Sequence, residues 1–142
     1  MNVLALENPS AMTRISALAG ACALTAGSTM VAVFDPSKAH IFPVCPLFAL
    51  TGIACPGCGL TRAFHALFHG DIVTALDFNL LVPVWAVAFA WIFISLLLIG
   101  IRKKGLPMWP TNPKFIYGFF AVLFVFGVLR NIPAWPLTIL YP

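Results

Sequence analysis

Residues 80–101 carry no charged side chain and almost no polar one. A stretch of about 20 apolar residues is what a helix needs to cross a bilayer. Pro83 falls in the first turn of this run, where its missing N–H costs nothing. Trp85 offers an interface anchor. A second uncharged run covers residues 15–34, and there small residues recur every fourth position: Ala19, Ala23 and Gly27 on one line, Ser16 and Gly20 on another. Such stripes let membrane helices approach closely. A third run, 115–129, lies between Lys114 and Arg130. Its rise of about 22 Å is short of a core of roughly 30 Å. It must extend to about residue 131 or let its flanking charges snorkel.

Composition leaves no soluble alternative. The chain is 61% apolar and 8% charged over 142 residues, whereas a soluble domain is about 45–50% apolar and about 25% charged. A domain this short has too little interior to hide the excess. The expected fold is therefore an all-α integral membrane protein, one domain over 1–142. It has three transmembrane helices at about 15–34, 80–101 and 115–131, and the lipid bilayer is its first partner. The first run is expected to be kept rather than cleaved as a signal peptide. Only seven residues separate Arg14 from Cys22 in the Ala-Gly-Ala-Cys stretch, short for the apolar region of a leader.

Lysine and arginine set the orientation. Arg14, Arg102, Lys103, Lys104 and Lys114 fall on one side against Glu7; Lys38, Arg62 and Arg130 fall on the other against Asp35, Asp71 and Asp77. The positive-inside rule places the N-terminus in the cytoplasm and residues 35–79 outside it. The basic residues flank apolar runs instead of forming a water-facing patch, so no nucleic-acid partner is expected.

The segment 41–78 is too apolar for a free loop and too broken by Pro43, Pro46, Pro56 and glycines for a span. Irregular backbone at membrane depth survives only when packed on protein or lining a cavity, so a re-entrant or interfacial helical segment is expected between the first and second spans. Cys55-Pro56-Gly57-Cys58-Gly59 reads as a tight turn, with Thr61 as a cap for a helix over 60–68. Gly70 ends that helix, and Asp71 caps a short one over 72–78. Cys58, Arg62, His65 and His69 fall at i, i+4, i+7 and i+11, which would share one helical face.

These residues resemble a family. The run from Cys45-Pro46 through Cys55-Pro56-Gly57-Cys58-Gly59, Thr61-Arg62 and Gly70-Asp71, followed by Asp77-Phe78-Asn79, is similar to a bacterial family of small membrane proteins, a domain of unknown function. Its pattern is a Cys-Pro pair, C-P-x-C-G-x-T-R, an apolar helix and Gly-Asp. Arg130, Asn131 and Pro133 match an Arg-Asn-x-Pro element that follows the last span in this family. The likeness runs over roughly 43–135, implies a bacterial inner membrane and brings no biochemical activity with it.

With three spans, Arg130 and Asn131 emerge on the side of the cysteine turn. Arg62, Asp71, Asn79, Arg130 and the cysteines can then meet at one membrane face, with Asp71, Asp77 and the backbone carbonyls exposed by the Pro-Gly breaks as candidate acceptors for the arginines. Three functions fit. In the first, Cys55 and Cys58, or Cys45 with either, form a disulfide in an accessory or scaffold subunit that joins other membrane subunits. In the second, Cys45, Cys55 and Cys58, with His65 or His69, bind zinc or copper(I). In the third, the thiols exchange disulfides with a membrane quinone, a relay that normally needs two cysteine pairs, while the fourth cysteine is Cys22 inside the first span. No Ser-His-Asp set or phosphate-binding glycine loop is present.

Overall fold

The computed structural model describes residues 9–39, 42–106, 113–135 and 140. Over these residues the chain is all-helical, with α1 (Ala11–Val33), α2 (Pro46–Thr51), α3 (Leu60–Phe68), α4 (Ile72–Phe78), α5 (Val82–Arg102) and α6 (Pro113–Leu129). Two helices, α1 and α5, are long and apolar enough to cross a membrane, with mean hydropathies of 1.5 and 2.5. Only 11% and 6% of their apolar windows are buried inside the protein. The third apolar helix, α6, is shorter, at 17 residues.

The chain divides into two compact units. The first combines residues 1–30 with 84–111. Here α1 and α5 run antiparallel. Arg14 donates from Nε and Nη2 to the carbonyl of Gly100, Leu18 packs on Gly100, and Leu96 packs on Gly20. The Arg14 fork thereby satisfies a carbonyl near the C-terminus of α5, where a cation also complements the helix dipole. Helix α1 starts at Ala11, before the expected 15, because Ser10 accepts from the Thr13 N–H and caps it. Of the small-residue lines, Gly20 lies in the contact, whereas nothing approaches Gly27. The alanines buried on α1 are Ala17 and Ala21, which lie on neither expected line.

The second unit combines residues 31–83 with 112–142. Its centre is the hairpin of α3 and α4, where Ala63, Ala66, Ala75 and Val82 form a small core covered by Leu60, Phe64, Leu67, Leu76 and Phe78. Alanines at the contact let the two short helices approach closely. The reversal between them is sharp because Gly70 takes φ +79°. Its N–H bonds to the Leu67 carbonyl and that of Asp71 to the Ala66 carbonyl, which closes the end of α3. Asp71 then accepts from the Thr74 N–H and starts α4. Helices α3 and α4 thus keep the bounds expected from sequence. The part of the expected segment before the cysteine turn contains one short helix, α2, which opens on Pro46 and is closed by Gly52 as its C-cap.

Candidate metal centre

The cysteine turn is built by its own backbone. The N–H of Cys58 bonds to the Cys55 carbonyl and that of Leu60 to the Gly57 carbonyl. Gly59, at φ +80°, then swings the chain into α3 as its N-cap. That left-handed step is strained for any residue with a Cβ. Thr61 is therefore one position inside the helix and exposed, and it does not serve as the cap expected of it.

The turn points two sulfurs inward, and Cys45, the residue before α2, brings a third. Sγ of Cys55 lies 3.4 Å from that of Cys45 and 3.3 Å from that of Cys58. All three sulfurs fall within 4.8 Å of one another. The Cys55 N–H also points at the Cys58 sulfur, 3.2 Å away. The cysteines are free thiols. Burial, with the Cys55 and Cys45 thiols beside it, pushes the Cys58 thiol up to about 12. Cys45 moves the opposite way. The backbone N–H of Phe48 in the first turn of α2, and then the Cys55 thiol, hold it below the usual thiol range. The cluster thus holds one thiol shifted down and one shifted up. Cys22 is exposed on α1 and belongs to the other unit.

What holds this turn in place is a set of side chains aimed at its carbonyls. Asn131 pairs with Ala54 like a neighbouring strand, its Oδ1 accepting from the Ala54 N–H and its Nδ2 donating to the Ala54 carbonyl, both at 2.8 Å. The same Nδ2 donates to the Gly127 carbonyl at 2.7 Å, near the end of α6. Arg130 donates from Nη1 to the carbonyls of Cys55 and Cys58. Asn79 donates from Nδ2 to those of Pro56 and Cys58, and its Oδ1 accepts from the Leu81 N–H at the entry to α5. Asn79 and Arg130 are each 1% exposed. The carbonyls of Ala54, Cys55, Pro56 and Cys58 all have donors, so the bends forced by Pro56 and the glycines leave none of these four carbonyls unmet. Arg130 also lies over the Phe126 ring and brings a buried positive charge to the backbone of the turn.

The rest of the expected site lies elsewhere in this unit. Cys58 precedes α3 and is buried in the turn, so the expected common face with Arg62, His65 and His69 does not form. Neither histidine joins the sulfurs as a ligand. Instead Arg62, His65, His69 and Asp71, together with Asp35 and Phe78, line a separate cavity of about 320 Å³. The Arg62 guanidinium stacks over the Phe78 ring, 4.9 Å from its centre. Among the described residues, neither Asp71 nor Asp77 forms an ion pair with it. An arginine over an aromatic face is a favourable cation–π contact. Of the acceptors expected for the arginines, the backbone carbonyls of the turn serve Arg130, whereas Arg62 stacks on a ring in place of an aspartate. The roles of Phe78, Pro56 and Asp35 were not read from the sequence. Phe78 had a faint signal, since it sits between Asp77 and Asn79 in the matched motif.

A family model described as a protein of unknown function (DUF2752) matches residues 45–93. No curated protein and no solved structure matches the chain. The matched stretch runs from Cys45 through the cysteine turn, α3 and α4 into α5, and includes Asn79. It stops short of Arg130 and Asn131, so that part of the wider resemblance lies outside the match.

Proposed function

We propose that this protein is a three-span membrane protein that holds a thiophilic metal ion, zinc or copper(I), on Cys45, Cys55 and Cys58. The observation that carries the reading is the meeting of three sulfurs, from two separate stretches of chain, on a backbone whose carbonyls are already satisfied. Two sulfurs on one zinc lie roughly 3.8 Å apart, given Zn–S bonds of about 2.3 Å at tetrahedral angles. A disulfide needs about 2.05 Å. Contacts of 3.3 and 3.4 Å require only a small adjustment to take up a metal. Among the described residues no fourth Cys, His, Asp or Glu joins the cluster. Three thiolates with an open position suit copper(I), or a zinc whose fourth ligand exchanges.

The membrane part of the reading rests on α1 and α5, with α6 as the third span. The charge pattern favours a cytoplasmic N-terminus and a cysteine turn outside, at a bacterial inner membrane. A second reading, an accessory or scaffold subunit stapled by a disulfide, is favoured by the same closeness of Cys55 to both neighbours. Metal analysis and thiol counting on protein purified without reductant separate the two. An equivalent of zinc or copper with free thiols supports the metal centre. A disulfide without metal refutes it and leaves the staple.

A further inference from the structure

We propose that His65 and His69 form a second metal site, apart from the sulfurs, for a borderline divalent ion such as zinc, cobalt or nickel. The two histidines are one turn apart on α3, and their rings lie 4.4 Å apart between centroids. Histidines at i and i+4 on one helical face are a known chelating pair.

The hydrogen bonds fix what these rings present. His65 Nδ1 lies 2.7 Å from the Val31 carbonyl oxygen and His69 Nδ1 lies 2.8 Å from the His65 carbonyl oxygen. A carbonyl only accepts, so each Nδ1 carries a proton. The ring nitrogen left with a lone pair is then Nε2 in each histidine. Two different carbonyls impose the same tautomer on adjacent rings. An Nδ1–H held by a carbonyl is also the outer support that metal-binding histidines use to fix their orientation.

The surroundings suit a cation. Asp35 and Asp71 line the same cavity. Asp35 is paired with Lys38 at 3.3 Å and Asp71 accepts from the Thr74 N–H, so these carboxylates lie in the lining without joining the two rings as ligands. Arg62, also in the lining, stacks over Phe78. An anion would instead need N–H donors where these rings offer lone pairs. The site is also open to ions from outside, since His69 is exposed.

Cobalt(II) chloride added to the full chain in lipid nanodiscs tests this, because thiolate-bound cobalt shows a sulfur-to-metal charge-transfer band and imidazole-bound cobalt does not. The expected result is a class of cobalt without that band that survives Cys55→Ser and weakens at least about tenfold in His69→Ala, the scale on which metal sites respond to lost support. Among the described residues the His69 side chain bonds only within its own helix, so its removal spares the fold; His65→Gln gives a second variant with the same expected loss. The proposal is overturned if wild-type protein binds no such class, if His69→Ala binds it unchanged, or if Cys55→Ser abolishes it. It is also overturned if inorganic phosphate, and not cobalt, shields His69 from acylation. Absence of the charge-transfer band alone would count against the cysteine centre and leave the imidazole site standing.

Discussion

Replacing Asn131 with Ala removes three hydrogen bonds and almost no apolar contact. The Ala54 N–H and carbonyl lose their partner, and Ala54 is 1% exposed. A buried donor or acceptor left unsatisfied costs about 1–3 kcal/mol, so the two Ala54 groups together cost about 2–6 kcal/mol. The Gly127 carbonyl is discounted because it lies near a helix end that water reaches more easily. The lower figure already corresponds to about thirtyfold in an equilibrium, at about 1.4 kcal/mol per tenfold. The loss falls on the cysteine turn, so the informative assay is the rate at which buried Cys58 reacts with a maleimide through transient opening. Asn131→Ala should raise that rate about thirtyfold or more. Asn131→Asp separates hydrogen bonding from volume. It keeps an acceptor for the Ala54 N–H but turns a second carboxylate oxygen toward the carbonyls of Ala54 and Gly127, so it should be at least as damaging as Ala. If Asp behaves like wild type, or if Ala changes the labelling less than about twofold, the pairing of Asn131 with Ala54 does not hold the turn.

Three further outcomes follow from the same geometry. A Cβ on Gly127 would lie 3.1 Å from Pro56 Cγ, whereas nothing lies within 4 Å of one on Gly118. Gly127→Ala should therefore lower the denaturation midpoint by the equivalent of about 1 kcal/mol, and Gly118→Ala should not lower it. Because the Cys58 thiol is raised from 9.0 to about 12 in the fold, the unfolded chain gives up that proton first. In metal-free protein the thiol's contribution is complete below about 9 and is lost as pH rises from roughly 9 to 12; denaturation of that form at stepped pH should show the fall, and Cys58→Ala should flatten it. In intact cells an impermeant thiol reagent should label Lys38→Cys and spare Lys103→Cys; the reverse pattern would invert the proposed topology.

The parts of the fold that were legible are those set by signals within a few residues. Gly70 and Asp71 determine where α3 ends and α4 begins, through a left-handed glycine and a side-chain cap, and both were readable. Helix α1 began earlier than expected because the apolar run was taken as the helix. A capping serine outside that run decides the matter, since the first N–H groups of any helix need an acceptor. Thr61 failed as a cap for the converse reason. The turn of Cys55 to Cys58 leads directly into Gly59 at φ +80°, and a side-chain cap two residues later has no N–H left to serve. The shared face of Cys58, Arg62, His65 and His69 assumed helical phase across Gly59, and that phase is broken there.

Of the acceptors expected for the arginines, the carbonyls bared by the Pro-Gly breaks are the ones Arg130 meets, not the aspartates, and the reason explains the spacing of the motif. Carboxylates are the obvious partners for a guanidinium, but a buried carboxylate adds its own desolvation cost. A turn kinked by Pro56 and flanked by glycines already contains carbonyls that no helix or sheet will satisfy, and in a dry setting each of these is costly. Donors with no charge to balance, or with one delocalised charge in a fork, meet that need. Asn79 reaches the turn from the start of α5, and Arg130 with Asn131 reaches it from the end of α6. The cysteine turn and these donors therefore form one unit, though 75 residues separate Arg130 from Cys55. Local periodicity carries no information across such a separation. A question about the turn itself does: which side chains serve the carbonyls that Pro and Gly leave bare. Put to this sequence, it points to Asn79, Arg130 and Asn131 before it points to any aspartate.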